Sequence, residues 1–147
     1  MKTIEINAYE YSELSDKAKL KALTDYQSDC EYDWSYDAIK SLEAFMTAVG
    51  VTMTDYQLDW LCPSRSNVRY EGTPHGESIK EELTGAFSDY PLTITWNKTK
   101  SIELAVRAFL EDICNDYEHQ LSEDGFTDYC FANEIFFDED GNEIELI

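Results

Sequence analysis

The last forty residues contain no lysine or arginine: the final positive side chain is Arg107. The same stretch holds thirteen acids, so nearly two thirds of the net charge of −20 lies in the last quarter of the chain. Histidine is scarce as well, with only His75 and His119, which leaves little material for general-base chemistry. The six glycines form no Walker or dinucleotide pattern, which removes the phosphate-cradling loops. The four cysteines, Cys30, Cys62, Cys114 and Cys130, include no Cys-x-x-Cys pair and no zinc-ligand spacing. No run approaches the roughly 18 apolar residues that a membrane span requires. The chain opens Met1-Lys2-Thr3-Ile4-Glu5 without an apolar leader, so we expect a cytoplasmic protein with reduced thiols.

What is present is a folded, aromatic, acidic chain. With 147 residues, 43% hydrophobic and 14% aromatic, it is too rich in aromatics for a disordered acidic tail. We expect a single domain over 1–147. A charge of −20 disfavours direct contact with nucleic acid or an anionic membrane and favours basic proteins.

Periodicity supplies the elements. Alternation over 3–9 predicts a strand. Ser15 and Asp16 predict the start of a helix running to about residue 28. A second helix is expected from Asp33 or Ser35, with Ile39, Leu42, Met46 and Val49 as its buried stripe and Gly50 as a left-handed cap. Residues 56–61 and 67–72 read as a hairpin around the Cys62–Asn67 turn cluster. A short helix is expected over 77–88 from Ile79, Leu83 and Phe87. A strand is expected from Pro91, with Leu92, Ile94 and Trp96 on one face. The longest helix is expected over 99–121, and a short one over 126–134. Asp140-Gly141 marks a hairpin joining 135–138 to 143–147. The expected class is α+β: one antiparallel or mixed sheet with three to five helices packed on it.

Catalytic and metal chemistry find weak footholds. His75 could lie near Cys62 or Ser64, but no nucleophile elbow accompanies it. The stretch Phe137–Glu145 has the composition of a calcium loop, yet counting Asp138 as position 1 puts Gly141 at position 4 where such a loop needs glycine at 6. We expect no enzyme, no bound metal and no cofactor, with a calcium site or a Cys/Ser-His enzyme as the weaker alternatives.

The acids are the stronger clue. Duplex DNA carries one charge per about 1.7 Å of axis. A folded surface studded with carboxylates can present a comparable field to a basic groove. Acids crowding the C-terminal half of the long helix oppose its dipole, and a broken local rule often marks a functional surface. The candidate contact residues are Asp112, Asp116, Glu123, Asp124 and Asp128. A second cluster comprises Asp29, Glu31, Asp33 and Asp37, with Tyr32, Trp34 and Tyr36 as aromatic anchors among the charges.

The run Tyr9-Glu10-Tyr11-Ser12-Glu13-Leu14-Ser15-Asp16-Lys17-Ala18-Lys19-Leu20-Lys21-Ala22, followed by Tyr26 and by Glu31-Tyr32-Asp33-Trp34, resembles the opening of a loose group of small phage and prophage proteins. The ending Ala132-Asn133-Glu134-Ile135-Phe136-Phe137-Asp138-Glu139-Asp140-Gly141 is similar to theirs. The resemblance implies a phage origin and carries over no catalytic residue. Small acidic phage proteins include inhibitors of host defence nucleases, among them anti-restriction and anti-CRISPR proteins that imitate nucleic acid. By analogy of class, the expected function is a non-enzymatic inhibitor whose partner is a basic nucleic-acid-binding host protein, a CRISPR effector or restriction enzyme. The alternative is a phage accessory or antitoxin-like module that binds protein through its aromatic patch.

Overall fold

The computed structural model describes residues 7–145. The chain folds as two compact units, one built from the residues up to Glu31 together with those from His119 onward, the other from Tyr32–Glu118. Both mix helix and strand. Among the described residues, no helix is long and apolar enough to cross a membrane.

In the first unit, helix α1 spans Asp16–Asp29. The Ser15 hydroxyl caps it by accepting the Ala18 N–H at 3.2 Å, and Asp16 lies at the positive end of the dipole. Its buried residues are Ala18 and Ala22. They pack with Tyr11, Leu14, Phe126, Cys130 and Phe137. Tyr11 meets Phe126 edge-on at 5.1 Å, and Tyr26 stacks on the same ring at 4.5 Å. Such small side chains on α1 allow close approach. Gly141, at φ +87° in the terminal hairpin, lies so near the Ala18 carbonyl that a Cβ would collide with it.

The second unit begins with helix α2, Ser35–Val49, ended by Gly50 at φ +88° as expected. Strands β1 (Thr52–Gln57) and β2 (Asn67–Glu71) pair antiparallel, with a register shift between Met53 and Asp55. Helix α3 covers Asp89–Thr99, and helix α4 covers Ile102–Leu121. Leu42, Phe45, Leu92, Trp96, Ala105, Phe109 and Ile113 are wholly enclosed in the core of this unit. Helix α5, Glu123–Ala132, and strands β3 (Phe136–Phe137) and β4 (Glu143–Ile144) belong to the first unit.

The α+β class holds, with five helices among the described residues, one of them long, but the single sheet does not. The described residues form two separate two-stranded sheets, β1–β2 and β3–β4. The sheet lacks a further strand because the segment from Pro91 is helical. Leu92 and Trp96 are both fully buried at an i, i+4 spacing, while Ile94 is 48% exposed. Strand alternation would place all three on one face; helical period places Ile94 outside. Pro91 falls in the first turn, where its missing N–H costs nothing. The expected helix over 77–88 is instead irregular chain. Its main-chain groups are satisfied from α3: the Trp96 indole donates to the Glu77 carbonyl, and the Asn97 amide accepts the Ile79 N–H while donating to its carbonyl.

The expected strand over 3–9 lies partly outside the described residues; Tyr9 makes an isolated antiparallel bridge to Phe137. The first hairpin is present, with its first strand at Thr52–Gln57 instead of 56–61.

Candidate protein-binding surface

The acids singled out from sequence are distributed over both units. Asp29, Glu31, Glu123, Asp124 and Asp128 belong to the first unit, and Asp33, Asp37, Asp112 and Asp116 to the second. Each cluster is therefore divided between the units.

In the first unit, Ser122 caps α5 by accepting the Gly125 N–H at 3.1 Å. Glu123 and Asp124 then occupy the first turn, where negative charge is favourable. The helix start thus gives these two acids a structural reason. Asp128 follows Asp124 one turn on, and both are exposed. Like charges at this spacing repel, by tenths of a kcal/mol. Asp29 ends α1 and Glu31 follows it, both facing solvent.

In the second unit, Glu111, Asp112, Asp116 and Glu118 lie on the last turns of α4. Eight residues of helix extend about 12 Å, so these acids give one charge per about 3 Å. That is close to the 3.4 Å spacing along one nucleic-acid strand and about half the density of a duplex. Asp116 is half-buried and already engaged: the Tyr32 hydroxyl donates to it at 2.5 Å. Asp37 is half-buried in the first turn of α2, and Asp33 precedes that helix.

The aromatic anchors separate. Tyr32 is core, 4% exposed, with its ring between Trp60 and Tyr117. Burial, followed by the hydrogen bond to Asp116 and that carboxylate's charge, pushes its hydroxyl well above the usual tyrosine range. Trp34 and Tyr36 are exposed, at 50% and 70%. Trp34 meets Phe87 edge-on at 6.0 Å, and Lys40 lies over the Tyr36 ring. Phe87, expected on the buried face of a helix, is 43% exposed on irregular chain.

The ion pairs among the described residues are Lys21–Asp25 and Lys40–Glu43. Neither uses an acid after Arg107.

His75 is committed to main chain. Its Nε2 lies 2.7 Å from the Ala48 carbonyl, and its Nδ1 accepts the Glu77 N–H at 3.0 Å. Cys62 instead contacts Ser64, Sγ to Oγ 3.3 Å. No disulfide joins the four cysteines. Burial, with a smaller push from Glu143, raises the Cys130 thiol to about 11; burial and Glu118 raise that of Cys114. The acid-rich terminal hairpin uses Asp138 to brace its own turn. Its carboxylate accepts the N–H groups of Asp140 and Asn142 and the Asn142 side-chain amide. Among the described residues, no group of three His, Cys, Asp or Glu side chains is placed to hold a metal ion.

Comparison with protein-family models, curated proteins and solved structures gives no match.

Proposed function

We propose that this chain is a phage-encoded, non-enzymatic inhibitor that occupies a basic nucleic-acid-binding surface of a host defence complex, a CRISPR effector or a restriction enzyme. The observation that supports this reading is the exposure of the acids on regular helices in a stretch without Lys or Arg. Asp112 on α4 and Asp124 and Asp128 on α5 are exposed and stand outside the ion pairs above. Carboxylates held at helical spacing present a fixed pattern to a basic groove, where a flexible tail would present an average.

Binding of this kind is stoichiometric, weakens steeply with salt and competes with nucleic acid. The test is a titration of this protein into a purified CRISPR effector carrying its guide, with target-strand binding as the readout, repeated at low and high salt and against a restriction enzyme. Inhibition saturating near one equivalent and relieved by salt is expected. Substoichiometric, salt-independent inhibition would point to catalysis instead.

A second reading, an accessory or antitoxin-like binding module, draws on the exposed Trp34, Tyr36 and Phe87. It predicts that alanine at Trp34 and Tyr36 weakens partner binding more than reversal of the acids.

A further inference from the structure

Within the second unit, a groove of about 720 Å³ lies between β2 and α4. That volume falls in the range of roughly 300–1,000 Å³ typical of ligand sites. Its floor is apolar: Met46, Ile102, Val106 and Leu110 are all buried. The Tyr70 hydroxyl donates to Glu103 at 2.8 Å near one end. Along α4 the lining runs from Ile102 to Glu111, a rise of about 14 Å. An extended chain covers that distance in about four residues.

The other wall is an unfinished sheet. Among the described residues β2 pairs with β1 alone, so its second edge carries main-chain groups that no third described strand takes up. Among the described residues, no main-chain hydrogen bond outside the β1–β2 ladder uses residues 67–71. Residues of β2, and none of β1, line the groove. Natural proteins blunt such edges or use them to accept a strand.

Charge favours one kind of strand. Glu103 and Glu111 flank Arg107 along the α4 rim, each four residues away, so that rim carries one net negative charge, while Arg69 and Glu71 balance each other on β2. The hydrogen bond from Tyr70 holds the Glu103 carboxyl below its ordinary range, so it stays ionised. On a chain of net charge −20, an acidic segment would be repelled.

We infer that the groove between the open edge of β2 and α4 accepts an extended basic segment of the partner protein as a third strand. Alternate apolar side chains seat on the Met46, Val106 and Leu110 floor. Lysines or arginines between them face Glu103 and Glu111. The inference rests on the reading above for the basic character of the partner; the strand geometry is independent of it.

The probe is a blocked heptapeptide alternating Lys and Val, fluorescently labelled. Its controls are a Glu/Val peptide of the same length and a Lys/Val peptide N-methylated at alternate residues along one edge. Binding is read by anisotropy, and amide exchange is followed at 67–71. The Lys/Val peptide should bind and protect β2, and the two controls should not. Glu103→Gln with Glu111→Gln should weaken binding by about tenfold. Ser64→Trp, a change of an exposed residue on the groove wall, should abolish it without altering the circular dichroism spectrum. Binding insensitive to N-methylation or to Ser64→Trp would overturn the proposal, as would absence of protection at β2. Reversal of Asp112, Asp124 and Asp128 separates the two readings. If it abolishes partner binding yet leaves the peptide bound, both readings stand. If the peptide fails while inhibition persists, the groove proposal alone falls.

Discussion

Asp89 is the buried charge on which the second unit depends, and replacing it has a calculable cost. The residue is 8% exposed. Its carboxylate accepts the Ser41 hydroxyl at 2.6 Å, the Thr84 hydroxyl at 2.6 Å, and the main-chain N–H groups of Thr84 and Gly85 at 2.7 and 2.8 Å. Ser41, fully enclosed, also contacts Ser88 at 2.6 Å. The carboxylate thus ties α2, the irregular chain before α3, and α3 itself. In Asp89→Ala, Ser41 retains Ser88, and the exposed Thr84 and Gly85 recover water. Taking about 2 kcal/mol for the enclosed charged bond and about 0.5–1 for each of the three wetted donors gives a total of about 3.5–5 kcal/mol. Asp89→Asn keeps one acceptor and should cost about half as much. All three tryptophans, Trp34, Trp60 and Trp96, lie in this unit, so intrinsic fluorescence during urea unfolding reports it selectively. Burial alone would raise the Asp89 carboxyl; the hydrogen bonds from Ser41, Thr84 and Gly85 outweigh it, and the net shift is downward. A folded value below the unfolded one means the unfolded chain binds the extra proton. The contribution is therefore complete above about pH 4 and is lost as pH falls through the folded value. Asp89→Asn should flatten that acid slope. A cost under about 1 kcal/mol for alanine, or an unchanged acid profile for asparagine, would refute the assignment of Asp89 as the tie.

Three further outcomes follow from the same geometry. Gly141→Ala should destabilise the first unit by more than about 1 kcal/mol, since it combines a positive φ with a Cβ driven into the Ala18 carbonyl; thermal unfolding followed by tyrosine absorbance checks it. At pH 8, a thiol reagent should label Cys30 and Cys62 quickly and the buried Cys114 and Cys130 slowly, and mass spectrometry of the labelled peptides would contradict this if Cys130 reacted first. Tyr32→Phe should cost about 1 kcal/mol by removing the bond to Asp116. Because the Tyr32 hydroxyl is raised in the folded state, its stabilisation is present below about pH 10 and lost above it, so the variant should show a weaker alkaline decline.

Local chemistry in the sequence was legible where one residue decides the outcome. Ser15 at a cap, Gly50 at a left-handed helix end and Asp140-Gly141 in a turn each act through neighbours within a few positions, and each appears where expected. The stretch 77–99 was not legible for the opposite reason. Ile79 and Glu77 are fixed by Asn97 and Trp96, about twenty residues away, and no short window shows such partners. The run Leu92, Ile94, Trp96 fits period two as well as a helix carrying one outward isoleucine. The candidate acids were visible by composition, but Tyr32 was not separable from Trp34 and Tyr36. Its partners Trp60, Tyr117 and Asp116, the last 84 positions on, hold it in the core, and all are distant in sequence. The groove had no signature at all, because it arises from β2 meeting α4.

The central claim is that the acids after Arg107 carry partner binding. Its most direct test is the affinity of the inhibited complex for this protein with Asp112, Asp124 and Asp128 reversed to lysine, measured across a salt series with circular dichroism as the control for folding. The account predicts that binding is lost while the spectrum is unchanged, and that the salt dependence of the residual binding is reduced. Undiminished affinity in the reversed protein, with its salt dependence intact, would contradict it.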